Sequence, residues 1–235
     1  MGVINEFKMF EKTPYSEPDP RALTALIFEG AKDVEKLYGP AFTAQVIKYA
    51  LKAACAKTGE TPPNDIKTLA QLTDYLVLKS DKLLQTRPYF IAHWALNVTE
   101  KKLEGTLGVA YGMAFKGEFK KVLSTDGNEK LSSMDLGGVL TKLRKLTIDL
   151  RIAPTEFGYK KNNDGSLDTF QQGCPFLEGC RIAEKDKTLS RPDGRMSCGA
   201  SMLMVHFLKE STGLDWDHDI LEFAKPYCVT RLFVM

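Results

Sequence analysis

The chain lacks the features that would send it to a membrane or to nucleic acid. No stretch reaches the ~18 to 20 apolar residues that a membrane span needs. The opening "MGVINEFKMFEKTPYSEPDP" has no basic segment followed by an apolar run, and Glu6 stands where a myristoylation signal beginning at Gly2 would need Ser or Thr. Blocks of like charge are absent too. The 32 Lys and Arg residues nearly cancel the 30 Asp and Glu residues, so no basic stripe is available to track a phosphate backbone. These absences lead to the expectation of a cytoplasmic protein with neither nucleic acid nor membrane as partner.

Familiar catalytic signatures are missing as well. There is no G-x-S-x-G elbow, no H-E-x-x-H pair and no phosphate loop, and Gly105, Gly108 and Gly112 do not match the dinucleotide fingerprint. Histidine is scarce, with only His93, His206 and His218. The first two sit in apolar runs and read as hydrogen-bonded core residues. His218 lies in "DWDHD", where Asp215, Asp217 and Asp219 read as a solvated acidic loop. His218 is thus a weak candidate for a catalytic base, as is Glu178 in "FLEGC".

With 43% of its 235 residues hydrophobic, the chain can bury one sizeable core. The fold class expected is α+β: a single domain over 1–235, with a helical part over about 19–85 and an α+β part over about 86–235. Helical spacing and capping predict helices at 19–38, with Asp19 as cap and Pro20 at the first position, and at 40–58, where Cys55 falls on a core face. Further helices are read at 65–84 and 100–123, and an aromatic strand at 88–98. Ser132 or Ser133 would cap a short helix leading into "LTIDLRI". There Leu146, Ile148, Leu150 and Ile152 alternate with polar residues and predict a strand. The "KKNNDGS" turn would return the chain into "LDTFQQGC". A helix over 199–212 and a closing strand "PYCVTRLFVM" complete the pattern.

Cysteine carries the functional signal. Four of the five, Cys174, Cys180, Cys198 and Cys228, fall in the last 62 residues, within a site region spanning 168–235. They are separated by 5, 17 and 29 residues, so they come from a strand end, a loop, a helix start and a final strand. A reducing compartment keeps thiols free, and an odd total argues against a complete disulfide framework. Four thiolates around one 4Fe-4S cluster are the preferred reading, ahead of one zinc ion held by three or four of them. No close C-x2-4-C pair is present to mark a structural zinc site. The third reading is that the thiols pack as small hydrophobes.

"KDVEKLYGPAFTAQVIKYALKAA", the strand ending in cysteine, the cysteine-led helix and "PYCVTRLFV" together resemble the L-2-amino-thiazoline-4-carboxylic acid hydrolase-like family. More distantly they are similar to 4-vinyl reductase domains, α+β small-molecule-binding domains of which some hold zinc through C-terminal cysteines. The resemblance implies Cys174, Cys198 and Cys228 as ligands, with Cys180 as a fourth. Two departures stand against hydrolysis of the family's name substrate: Gly199, Ala200 and Ser201 follow Cys198 where an aspartate is usual, and Pro226-Tyr227 replaces a glycine-aspartate pair.

Two functions follow as expectations. One is a cysteine-ligated metalloenzyme, hydrolase-like or redox, acting on a small molecule. The other is a small-molecule-binding or sensing module with a structural metal, its pocket lined by Tyr89, Phe90, Trp94 and Tyr111. A homodimer is expected on base rates alone.

Overall fold

The "NNDG" turn organises the sheet. Gly165 takes the left-handed conformation (φ 85°) that a residue with a Cβ resists, and its N–H donates to the Asn162 carbonyl at 3.1 Å. The Asp164 carboxylate accepts from the Ser166 N–H (2.9 Å) and hydroxyl (2.6 Å), which holds its acid below the usual carboxylate range. These bonds fold the chain back on itself. In this computed structural model, the description covers residues 3–14, 40–68, 135–149, 151–174, 198–224 and 226–235, with isolated positions at 32, 35, 36, 38, 39, 70, 71, 74, 75, 177, 180, 181, 185 and 195.

Strand β1 is Lys8–Met9, helix α1 Pro40–Thr58, helix α2 Leu136–Asp149, strand β2 Glu156–Lys161 and strand β3 Leu167–Gln172. Helix α3 is Gly199–Thr212, strand β4 Trp216–Phe223 and strand β5 Tyr227–Val234. The described strands form one antiparallel sheet in the order β1-β2-β3-β5-β4, so the fold is α+β. The last strand is therefore internal, hydrogen-bonded to β3 on one side and β4 on the other.

The chain divides into two compact units, each assembled from separated segments. One comprises Met1–Glu17, Glu118–Pro175 and Met196–Met235, and contains the whole sheet with α2 and α3. The other comprises Pro18–Gly117 and Phe176–Arg195, and contains α1.

Within the first unit, α2 and α3 pack on each other and α3 packs on β4 and β5. Val139, Leu140, Leu143 and Leu146 of α2 and Leu203, Met204, Phe207 and Leu208 of α3 are buried with Phe157, Leu167, Trp216 and Leu232 of the sheet. Each large apolar side chain removed from water contributes about 1.5–3 kcal/mol. The opposite sheet face carries Phe170, which packs against Phe7 (5.8 Å) and Tyr227 (5.3 Å).

Two sequence expectations are corrected. Residues 146–149 are the end of α2, Arg151 and Ile152 form its cap, and the first arm of the hairpin is β2 instead. The helix starts at Asp135, whose carboxylate accepts from the Gly138 N–H at 2.7 Å; Ser132 and Ser133 lie outside the described residues. At its other end Arg151 takes the left-handed conformation (φ 54°). The N–H groups of Arg151 and Ile152 close back on the carbonyls of Ile148 and Thr147, both at 2.9 Å. This is a Schellman closure, which favours an apolar residue just beyond the helix, and Ile152 fills that place. The apparent alternation was thus a helical face followed by a cap. "DWDHD" likewise runs into β4 rather than a loop, because its acids find backbone donors: Asp217 accepts from the His218 N–H (2.7 Å) and Asp219 from the Ile220 N–H (2.9 Å).

Helix α1 matches its expected span, entered at Pro40 and closed by left-handed Gly59, and Cys55 is buried in it as read. The predicted elements at 19–38, 65–84, 88–98 and 100–123 lie mostly or wholly outside the described residues, as do Glu178, His93 and the aromatics Tyr89, Phe90, Trp94 and Tyr111. Among the described residues, no helix is long and apolar enough to cross a membrane.

Candidate functional site

The site is built on one level of the sheet. Antiparallel register sets Phe157 of β2 opposite Gln171 of β3, Gln171 opposite Cys228 of β5, and Cys228 opposite Phe223 of β4. Directly opposed residues point to the same face. That face is the one under the helices, because the Arg144 guanidinium of α2 lies 5.9 Å over the Phe157 ring. The next level of the same face is closed internally, with the Thr169 and Thr230 hydroxyls 2.6 Å apart.

Three cysteines approach this face of the sheet from different elements. Cys228 comes with the strand. Cys174 follows β3 through Gly173, whose left-handed φ of 67° redirects the chain, and the Thr155 side chain occupies the space where a Cβ would stand. The Thr155 hydroxyl donates to the Gln172 carbonyl at 3.0 Å, which keeps it there. Cys198 caps α3 and donates its N–H to Nε2 of His218 at 3.1 Å, so that nitrogen of the imidazole is an acceptor and the ring is positioned from β4. Burial raises the Cys228 thiol well above its ordinary range, and the nearby Cys174 and Cys198 thiols raise it further. Cys174 and Cys198 thus lie within electrostatic reach of Cys228, whose neutral thiol burial favours. Cys180 is buried but belongs to the other compact unit.

Three polar atoms of this unit are enclosed with no hydrogen-bond partner among the described residues: Nε of Arg144 and Nε2 of Gln171 at this level, and Oγ of Ser201 on α3. Their residues are 5%, 2% and 0% exposed, so water from the bulk does not reach them. Other donors of Arg144 are engaged by the Pro154 carbonyl (2.6 Å), the Thr155 carbonyl (3.4 Å) and the Thr13 hydroxyl. No carboxylate pairs with Arg144 among the described residues, and burial lowers its pKa. An unpaired buried donor costs about 1–3 kcal/mol and an unpaired charge more. Native proteins hold few such atoms.

Sequence reasoning missed Arg144, Gln171 and Ser201. Arg144 alone left a trace, one turn after Leu140 on the apolar face of α2, and that trace is visible only once the segment is read as helical. His218 is positioned by its bond to Cys198, and its Nδ1 lies 3.6 Å from Asp217 Oδ1; Asp215 pairs with Lys209. His206 lies on α3, with its side chain outside the described residues. In the second unit, Tyr75 is pushed up to about 12 by burial and by the adjoining Cys55, consistent with Cys55 as a core residue.

No protein-family model matches the chain, and no curated protein matches it. Solved structures of H-NOX domains are similar. An oxygen-bound H-NOX domain related to soluble guanylate cyclases is 10% identical with a TM-score of 0.37, covering 90% of this chain and 94% of its own. A variant of the T. tengcongensis H-NOX domain is 10% identical with a TM-score of 0.39 (90% and 96% covered). A structure from work on heme distortion in the H-NOX family is 11% identical with a TM-score of 0.38 (90% and 94%). At this distance the likeness assigns neither fold nor ligand to the present chain.

The expected cofactor is corrected. Among the described residues no group of three or more His, Cys, Asp or Glu side chains is disposed to hold a metal ion. A 4Fe-4S cluster or zinc at Cys174, Cys180, Cys198 and Cys228 is not retained. On the protein side, burial favours the protonated Cys228 thiol over the thiolate form.

Proposed function

We propose that the chain is a small-molecule-binding or sensing module whose ligand occupies the level of Gln171 and Cys228 beside Arg144 of α2. The observation that carries this reading is the pair of enclosed polar atoms without partners, Nε of Arg144 and Nε2 of Gln171, at the level of the buried Cys228 thiol. Binding sites are mostly apolar with a few convergent polar groups, and Phe157, Phe223 and the thiols supply the apolar part here. The resemblance of the C-terminal run to 4-vinyl reductase domains points the same way.

The test couples stability to thiol protection. A panel of small molecules is screened for a rise in melting temperature, and native alkylation of Cys174, Cys198 and Cys228 is then followed by mass spectrometry. Compounds that stabilise the protein are expected to slow alkylation of these thiols and to lose their effect in Cys228→Ala. Stabilising compounds that leave all three thiols equally reactive would remove the site from this level.

A further inference from the structure

We infer that the N-terminal segment 7–13 is a latch that closes the β2 side of the ligand level over Arg144 and comes away without unfolding the sheet. The inference rests on the small-molecule reading above and adds how the site is opened.

Register carries the segment to the site. The Phe10 N–H donates to the Phe157 carbonyl at 2.9 Å, one step beyond the Met9–Gly158 pair, so Phe10 points to the same face as Phe157. Its ring stacks on Phe157 at 5.4 Å and meets Tyr159 at 5.8 Å. Three residues on, the Thr13 N–H donates to the Thr155 carbonyl at 3.0 Å, and the Thr13 hydroxyl accepts from the Arg144 guanidinium. Arg144 itself lies 5.9 Å over the Phe157 ring. Phe157 and Arg144 therefore join the latch to the level of Gln171 and Cys228.

The sheet holds a seat for this segment. A Cβ at Gly158 would collide with Met9 Sδ and stand 3.2 Å from the Lys8 carbonyl oxygen and 3.3 Å from Phe7 Cβ, so the close approach needs glycine. At Gly137 of α2 a Cβ would stand 2.6 Å from the Tyr159 hydroxyl. The helix thus leaves room for the ring on which Phe10 and Lys8 rest.

What fastens the segment is shallow. No residue of 5–14 is buried, whereas Phe157 beneath it is 4% exposed. Its ion pairs, Lys12 with Glu156 (2.6 Å) and Glu6 with Lys160 (2.7 Å), lie at the surface, where such pairs contribute little. The ladder of β1 is two residues long, against six paired positions between β3 and β5. Segments with few buried contacts open ahead of the fold, and lids over binding sites are drawn from them. Arg144, 5% exposed with the latch closed, is the group such an opening uncovers.

The test follows hydrogen exchange by mass spectrometry on the whole chain, with phenylglyoxal modification of Arg144 in parallel. Peptides of 7–13 are expected to exchange at least about tenfold faster than those of β3 and β5 in the wild type. Gly158→Ala crowds the seat and is expected to speed both exchange in 7–13 and modification of Arg144, with β3 and β5 unchanged. Thr13→Val, which removes the hydroxyl bonded to Arg144, is expected to speed the modification as well. Leu146→Ala lowers global stability and is expected to speed β3 and β5 without moving 7–13. Equal protection of 7–13 and β5 in the wild type would overturn the inference, as would a Gly158→Ala protein whose 7–13 loosens while Arg144 reacts at the wild-type rate. Should Gly158→Ala not fold, the wild-type exchange and Thr13→Val decide. These measurements contain no ligand, so the two readings fail separately. A fixed 7–13 beside stabilising compounds overturns the latch alone, and an opening 7–13 with no stabilising compound overturns the ligand and leaves the latch over Arg144.

Discussion

Gly173 is the residue on which the position of Cys174 turns. Its left-handed backbone and the Thr155 side chain at its Cβ position leave no room for a larger residue. Gly173→Ala is expected to cost about 1–3 kcal/mol in urea unfolding, with faster alkylation of Cys174 as the chain shifts. Cys228 gives a pH signature. Because burial raises its pKa, the folded state keeps a proton that the unfolded chain releases above about pH 8.5. Its contribution is complete below that pH and is lost as pH rises towards the folded value. Urea midpoints measured from pH 7.5 to 10 are expected to fall more steeply for the wild type than for Cys228→Ala, and an identical fall would show that the thiol titrates normally.

At the scale of elements, α2 offers a test that separates helix from strand. In a strand Leu146 and Ile148 would share a face, whereas in the helix Leu146 is 2% exposed and Ile148 39%. Leu146→Ala is expected to cost about 2–5 kcal/mol and Ile148→Ala no more than about 0.5 kcal/mol in chemical denaturation. Equal losses would favour the strand. The helices α1 and α3 were legible because each carries its own punctuation: Pro40 and Gly59 for one, Cys198 and Gly213 for the other. Helix α2 was not, since its terminator is Arg151 rather than glycine, and the apolar residue of the cap extended the pattern by one false step. Strand β4 hid behind its acids, whose backbone donors appear only when the chain is folded.

For the whole molecule, the placement of the last strand matters most. β5 lies between β3 and β4 and carries both Cys228 and the buried Leu232. Deleting Tyr227–Met235 is expected to abolish the cooperative unfolding transition of the sheet unit by circular dichroism, because two neighbours lose their hydrogen-bonded partner at once. Had the strand been at an edge, a weakened but folded protein would result.

The sequence by itself determined what is local: the α+β class, the turn at Asp164-Gly165, two of the three α-helices given ranges among the described residues, and the positions of Cys174, Cys198 and Cys228 at a strand end, a helix start and a final strand. Each depends on periodicity or on residues a few places apart. Only the tertiary structure decided which groups meet. Gln171 faces Cys228 because β5 inserts beside β3, and Arg144 faces Phe157 because α2 lies on that side of the sheet. Whether a buried donor finds a partner depends on strand order and register across more than fifty residues. No spacing rule along the chain encodes that distance.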